Sequence, residues 1–225
     1  MPTYNILFVG LGKMGFHMAG YLSKNKNFKL FVFNRTKSVE HKWKKKFIAE
    51  SYNFKNDIKF DFIISCLKDD HAVNSFFNKF VKTSNFHKNS IIIDHSTISL
   101  KQIDLLSRSF KKRKIKFLDA PITGGEEGAK KGSLSVMVGG TKPNFNKSKR
   151  IISSYSKSLT HMGKLGSGQL TKFTNQILIC GILYSISEAY LFSKKNNLDQ
   201  KKIFNAIKNG AANSWQFTNR YPTLT

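Results

Sequence analysis

Gly10-Leu11-Gly12-Lys13-Met14-Gly15 follows the apolar run Tyr4–Val9 and opens a stretch, residues 14–23, with helical spacing. Three glycines between a strand and a helix each have a task when a phosphate chain is bound there. Gly10 permits the tight turn, Gly12 lets the backbone approach a pyrophosphate, and Gly15 allows the helix to pack closely on the strand. The helix start adds amide donors and a partial positive charge. A glycine trio alone recurs by chance, and its place between strand and helix is what makes it informative. Leu11, Lys13 and Met14 lie in the same loop and join the glycines as expected cofactor contacts.

The next strand, residues 29–33, ends at Asn34-Arg35-Thr36. At this distance from the glycines, about 20 residues, an NAD site wants Asp or Glu to hold the ribose 2′-hydroxyl. This loop has no carboxylate to repel a 2′-phosphate, and its guanidinium, amide and hydroxyl are all able to donate to one. The expected cofactor is therefore NADP(H), in preference to NAD(H).

Outward from these two segments, apolar runs alternate with amphipathic ones. Residues 61–66, 91–94, 115–118 and 134–138 read as further buried strands, with a weaker one at 160–162. Residues 39–50, 72–81 and 102–112 carry helical spacing between them. Such alternation implies an α/β, doubly wound parallel sheet of Rossmann type. After Gly163-Lys164-Leu165-Gly166-Ser167-Gly168 the texture changes: residues 169–194 form one long helical candidate, apolar on most faces, followed by a second at 199–209. The expected organisation is a nucleotide-binding domain over residues 1–164 and the start of an all-helical domain over 165–225.

The carboxyl ends of parallel strands carry the ligand loops. Leu67 is placed to pack on the cofactor's ring system and Thr97 to donate to its nicotinamide side. His95 reads either as an acid–base group or as a packed histidine at a strand end, and Asp94 as an orienter of its loop. Asp119-Ala120-Pro121-Ile122-Thr123-Gly124-Gly125 joins the same rim, and Thr123, Gly124 and Gly125 offer a hydroxyl and unhindered amides to a substrate carboxylate. Glu126 and Glu127 suit the start of the following helix. Lys172 follows a glycine-flexible turn on an otherwise apolar helix, with Asn175 and Gln176 three and four residues on, which puts all three on one face. An ammonium there is able to protonate a carbonyl oxygen as hydride arrives at carbon, while the amides fix the substrate.

The chain has 225 residues, 40% of them hydrophobic, and a formal net charge of +25. Such a charge is the mark of nucleic-acid partners or of anionic surfaces. The basic residues are nevertheless spread along the chain, and lysine, asparagine, isoleucine and phenylalanine share A/T-rich codons, so a solvated basic surface accounts for them. Anionic ligands are attracted by that field; specific nucleic-acid binding is not expected. Cys66 and Cys180 stand far apart without metal spacing, so no metal is expected and a reducing, cytoplasmic setting is. The N-terminus enters a strand at once, without the pattern of a signal peptide. The longest apolar run, 177–191, contains Glu188 and falls short of the ~20 residues that span a bilayer.

Taken together, Gly10–Gly15, Asp119–Gly125, Met137-Val138-Gly139-Gly140 and Gly166–Gln176 resemble the β-hydroxyacid dehydrogenase family. The resemblance spans nearly the whole chain, including Gly210-Ala211-Ala212-Asn213-Ser214-Trp215, and implies an oxidoreductase acting on a CH–OH group. It implies hydride transfer between NAD(P) and a 3-hydroxy acid or its semialdehyde, with Lys172 as catalytic lysine, Thr123-Gly124-Gly125 as anion loop and Thr97 as cofactor contact. Lys172-Phe173-Thr174-Asn175-Gln176 is most similar to 2-hydroxy-3-oxopropionate reductases, whereas the 3-hydroxyisobutyrate branch more often has a second asparagine at the place of Gln176. Asn34-Arg35-Thr36 is similar to NADP-using glyoxylate and succinic semialdehyde reductases. Gly124–Ala129 is also similar to 6-phosphogluconate dehydrogenase, but Asn175-Gln176 departs from that enzyme's Lys-x-x-His-Asn. Family members continue past Trp215 through more helices, with a later Lys-Asp pair, so this chain is expected to be a fragment or a truncated frame. The helix at 177–191 then needs a partner such as another copy, in a homo-oligomer. The leading expectation is an NADPH-dependent reductase of a small carboxylate-bearing semialdehyde or 2-oxo acid. The alternatives are an inactive reductase-like module that binds a polyanion, and a 6-phosphogluconate dehydrogenase-like activity.

Overall fold

A computed structural model describes residues 4–224, which part into two compact units at Lys172/Phe173. The first unit is built on nine strands: β1 (Tyr4–Val9), β2 (Phe28–Phe33), β3 (Glu50–Ser51), β4 (Phe60–Ser65), β5 (Phe86–Asp94), β6 (Lys116–Asp119), β7 (Ile122–Thr123), β8 (Leu134–Gly139) and β9 (Ser156–Gly163). They form one sheet in the order β3-β2-β1-β4-β5-β6-β8-β7, with β9 paired to β8. Strands β1 to β6 run parallel, in the doubly wound order that puts a dinucleotide at the carboxyl ends of the strands on either side of β1.

The sheet is mixed where sequence patterning implied parallel strands throughout. β8 runs antiparallel to both β6 and β7. Only residues 124–133 separate β7 from β8, too few for a parallel crossover, which needs a dozen or more. The short helix α5 (Gly125–Lys130) and a left-handed turn at Gly132 (φ 63°) bring the chain straight back.

Both faces of the sheet are covered, and the strand residues alternate between them. Ile6 and Phe8 of β1 pack with Trp43 and with Met18 and Leu22 of α1 (Gly15–Ser23). Leu7 and Val9 pack on the opposite face, with Phe76, Phe77 and Phe80 of α3 (Asp70–Phe80) and Ile103, Leu106 and Phe110 of α4 (Leu100–Lys112). In β4, Phe62 and Ile64 share the first layer and Ile63 the second. Phe60 has the parity of the first layer yet sits in the second, because the pairing with β5 slips between Phe60 and Phe62.

Three elements differ from the patterned expectation. Helix α2 (Lys37–Lys44) stops short of residue 50, since Trp43 is pinned by its indole N–H to the Phe16 carbonyl (2.8 Å) and Glu50–Ser51 pairs with β2 as an edge strand. Helix α6 (Lys142–Ile152) has no counterpart in the apolar pattern because its lysines blur the period. Its signal was local: Thr141 caps the helix, with proline in the first turn. Helix α7 (Ser167–Lys195) has 29 residues and by length and composition is long and apolar enough to cross a membrane. The count of the uninterrupted run 177–191 missed this, since single polar residues interrupt the run without ending the helix.

In the second unit, the part of α7 after Lys172 is followed by α8 (Gln200–Ile207), α9 (Trp215–Arg220) and a 3₁₀ turn, Tyr221–Leu224. Buried Ile186, Phe217 and Tyr221 gather Tyr190, Ile203, Phe204 and Ile207 around them. The Tyr221 hydroxyl donates to Gln200 Oε1 at 2.7 Å, giving the final turns an anchor that the sequence after Trp215 did not announce. Ile177, Leu178, Tyr184 and Phe192 remain exposed.

Phe110 is fully buried, edge-on to Phe77 and Phe117 at 5.1 Å each. Phe110→Ala is therefore expected to lower the unfolding free energy by about 3–5 kcal/mol, the usual cost of deleting a buried ring. Urea titration followed by far-UV circular dichroism measures it.

Candidate active site

The carboxyl ends of the parallel strands form a continuous rim. Gly10 N–H donates to the Phe33 carbonyl, Cys66 N–H to Val9, His95 N–H to Ser65 and Ala120 N–H to Asp94, at 2.7–2.9 Å. Each loop is thus fixed to its neighbour one residue beyond the strands.

At the β1 end of this rim, Gly10 has φ 96°, and a Cβ there would meet the Cys66 carbonyl. A Cβ on Gly15 would meet the carbonyl of Gly10. Gly12 is different: it is exposed, and a Cβ would meet nothing within 4 Å. The fold itself does not require glycine at position 12, whereas a phosphate chain lying on the backbone does. Helix α1 begins beside it with neither a side-chain cap nor an acidic residue in its first turn, so no carboxylate offsets the positive end of its dipole.

A cleft of about 270 Å³ lies over this turn, walled by Gly10, Gly12, Asn34, Arg35, Thr36 and Leu67, together with Phe33, Phe54, Lys68, Ser75, Phe76 and Lys79. Leu11, Lys13, Met14 and Gly15 stand in the glycine turn but not on the wall, and Thr97, Thr123, Gly124, Gly125 and Lys172 also lie outside it. Lys68 and Lys79 were not anticipated; both add positive charge. Asn34 on the cleft wall also serves the fold. Its Oδ1 accepts from Leu11 N–H (3.0 Å) and its Nδ2 donates to the Thr36 carbonyl (2.9 Å), locking the loop after β2 to the glycine turn. Arg35 and Thr36 are exposed. A carboxylate does stand nearby: buried Glu40 accepts from Asn34 N–H (3.2 Å) and from Lys37 Nζ (3.0 Å). Burial works against its ionisation, but hydrogen bonds from Ser51, Lys37 and Asn34 outweigh it and hold the pKa below the usual value. Being buried and paired, Glu40 leaves Arg35 as the exposed charge of this loop.

Beyond β4 the rim becomes a buried polar network. Asp94 Oδ1 accepts from Ser65 Oγ (2.8 Å), Ser96 Oγ (2.6 Å) and Ser96 N–H (3.1 Å), while Oδ2 has no hydrogen-bond partner. Ser96 Oγ in turn accepts from Leu67 N–H at 2.9 Å, and Thr97 beside it is exposed. His95 is packed: Nδ1 lies 2.6 Å from the Ala120 carbonyl, which only accepts, so Nδ1 carries the proton and Nε2 accepts from Tyr155 Oη at 2.8 Å. Both of its nitrogens are occupied, and it serves the fold.

The Asp119–Gly125 segment divides in two. Gly124 and Gly125 have φ values of 124° and 63°, and Gly125 opens α5. Thr123 is half-buried, while Glu126 and Glu127 in the first turn pair with Lys130 at 3.2 and 3.0 Å. Asp119, at the other end, takes Gly166 N–H (2.7 Å) and Gln169 N–H (2.8 Å) on its two oxygens, and so holds the start of α7. Three residues past Gln169 comes Lys172, half-buried, with burial lowering its pKa below the usual 10.5. Further along the same helix, in the second unit, Asn175 Nδ2 donates to Gln176 Oε1 at 3.1 Å.

Asp94 and His95 titrate in opposite senses. Burial, with a smaller contribution from Asp119, pushes Asp94 from 3.8 up to about 6, despite hydrogen bonds from Ser96 and Ser65. Burial pushes His95 from 6.5 down to about 4. The folded chain holds a proton on Asp94 that the unfolded chain releases, so this contribution is complete below 3.8 and is lost as pH rises through about 6. It refuses one on His95, so that contribution is complete above 6.5 and is lost as pH falls through about 4. Each amounts to roughly 3 kcal/mol, and they nearly cancel between them. Relative to wild type, Asp94→Asn is expected to make stability climb more steeply from pH 4 to 6, and His95→Gln to make it fall. Urea unfolding at a series of pH values tests both slopes.

Two family models match consecutive parts of the chain: the NAD-binding domain of 6-phosphogluconate dehydrogenase over residues 5–163, and the NAD-binding domain of NADP-dependent 3-hydroxyisobutyrate dehydrogenase over residues 166–225. An uncharacterized oxidoreductase of Shewanella frigidimarina is 36% identical over 222 residues, 97% of this chain and 76% of its own length. The mitochondrial 3-hydroxyisobutyrate dehydrogenase of Drosophila melanogaster is 32% identical over 215 residues, 94% of this chain and 65% of its own length. Among solved structures, Mycobacterium tuberculosis 3-hydroxyisobutyrate dehydrogenase with L-serine superposes with a TM-score of 0.87 at 23% identity, covering 98% of this chain and 75% of that one. With a glycine turn, an uncapped helix start and a cationic cleft at the carboxyl rim of such a sheet, the chain belongs to the β-hydroxyacid dehydrogenase family of NAD(P)-binding oxidoreductases that act on a CH–OH group.

Proposed function

We propose that the chain is an NADPH-dependent reductase of a small semialdehyde or 2-oxo acid, with Lys172 as the general acid. The observation that carries this reading is a half-buried lysine, its pKa lowered by burial, in the second turn of a helix whose start is fastened to the strand rim. When bound, NADPH supplies the hydride. Gly10, Gly12, Gly15 and the first turn of α1 receive the pyrophosphate, and Arg35, with the Thr36 hydroxyl, receives the 2′-phosphate. Leu67 packs on the ring system and Thr97 donates to the carboxamide side. Thr123 Oγ1 and the amides of Gly124 and Gly125 bind the substrate carboxylate. Lys172 gives a proton to the carbonyl oxygen as carbon accepts hydride, and Asn175 and Gln176 orient the hydroxyl that forms. A lowered pKa suits this role, because an acid that releases its proton more readily transfers it further in the transition state.

The division into a nucleotide domain, residues 1–164, and a helical domain, 165–225, belongs to the same proposal, as do a cytoplasmic location and a homo-oligomer. The names of the relatives support a 3-hydroxyisobutyrate-type substrate, and Gln176 supports 2-hydroxy-3-oxopropionate; both are short, carboxylate-bearing and suited to the same anion loop. A second reading, a non-catalytic module that binds a polyanion, draws on Lys111, Lys114 and Lys164 around a separate hollow of about 550 Å³. Turnover in the assays below excludes it.

Arg35→Ala is expected to lose most of the preference for NADPH over NADH, roughly the tenfold to hundredfold that one charge-assisted phosphate contact supports, with NADH affinity retained. An unchanged ratio of kcat/KM for the two cofactors overturns the assignment. Lys172→Ala is expected to cut kcat by about 10²–10⁴-fold with little change in NADPH affinity. In the wild type, the reductive rate is expected to be level below the Lys172 pKa and to fall about tenfold per pH unit above it. That bend belongs below the ordinary lysine value of 10.5 and disappears in the alanine variant.

A further inference from the structure

We propose that Gln169 is a positioning residue, tying the loop that carries Thr97 to the first turns of α7 and so fixing where Lys172 stands. The inference rests on the reading of Lys172 as the acid. Gln169 is fully buried. Its Nε2 donates to the Ser96 carbonyl at 2.7 Å and its Oε1 accepts from Ile98 N–H at 3.3 Å. The two bonds bracket Thr97, whose backbone is thereby clamped from both sides. Ser96 is itself held through its hydroxyl by Asp94 and Leu67, so one glutamine is in register with both loops expected to touch the nicotinamide.

The main chain of Gln169 is fixed independently, by its N–H to Asp119 Oδ2. Close packing removes the remaining freedom: a Cβ at Gly168 would meet the Met137 carbonyl at 2.5 Å and the Asp119 carbonyl at 2.8 Å. Helix α7 therefore starts at one height and one rotation against the sheet. Lys172 follows three residues later, less than one turn away, and inherits both. Glutamine supplies a donor and an acceptor from one planar group at the end of a long side chain, which is what the Ser96 carbonyl and the Ile98 amide require. Leucine fills the space but leaves both groups unpaired in a dry setting.

The experiment compares the full wild-type chain with Gln169→Leu and Lys172→Ala by amide hydrogen exchange, NADPH titration and steady-state kinetics. In Gln169→Leu, exchange is expected to rise about tenfold at Ile98 and over residues 166–172, the scale of one buried hydrogen bond, while β1 and β4 keep their protection. NADPH affinity is expected to stay within about threefold and kcat to fall up to about 100-fold, as for a catalytic group displaced by a fraction of an ångström. A rise in exchange spread over the whole sheet means a general stabilising role and overturns the proposal. So does a local rise with unchanged kcat, which removes the positioning role while leaving Lys172 as the acid. Full turnover by Lys172→Ala, or none by the wild type, removes the reductase reading itself and this inference with it.

Discussion

A sheet covered on both faces by apolar layers here gathers a row of buried polar side chains where its parallel strands end. Ser65, Asp94 and Asp119 stand at the last positions of β4, β5 and β6, are completely buried, and survive there because each finds partners at a neighbouring strand end or in the adjoining loops. An unpaired buried carboxylate would cost several times what a typical hydrogen bond returns. The loops that satisfy these groups are held accordingly, and they are the same loops that carry Leu67, Thr97 and the start of α7. Satisfying the strand ends and assembling the site are one physical problem with one solution.

The two carboxylates solve it differently. Asp119 spends both oxygens on amides at the beginning of α7, where the helix end is electropositive and lacks its own acceptors. Asp94 concentrates three donors on one oxygen and leaves the other bare. Burial of that bare oxygen disfavours the charged form, and this is the main cause of the upward-shifted pKa of Asp94. His95 next to it is kept neutral by the same dryness. Near neutral pH the rim therefore carries the Asp94 carboxylate, which takes up a proton as pH falls through about 6, beside a neutral His95.

Much of this architecture was legible in the sequence. The apolar strands, the helical stretches between them and the glycine turn are local signals, and local signals suffice where burial on both faces leaves one arrangement. The antiparallel return of β8 was not legible, since it depends on how few residues α5 needs rather than on the strand's own pattern. The structural part played by Asn34 was hidden for a similar reason: an amide in such a loop looks like a ligand, and only the fold reveals its bonds with Leu11 and Thr36. Gln169 stood in plain view inside Gly166-Ser167-Gly168-Gln169, yet a glutamine on a helix is read as solvated until its partners 71 and 73 residues away are known. A polar residue amid the apolar faces of α7 was the available clue.

The high net charge makes the same point about specificity from the other side. At physiological ionic strength a surface lysine is screened beyond about 8 Å, so most of the 38 lysines and arginines raise the local concentration of any anion without choosing among them. Choice requires contact, and contact requires groups whose positions are fixed before the ligand arrives. Arg35 is exposed but rises from a loop locked to the glycine turn by Asn34. Lys172 is half-buried on a helix whose first turn is held by Asp119 and Gln169. In a chain where positive charge is abundant, what sets these two side chains apart is the hydrogen-bonded backbone beneath them.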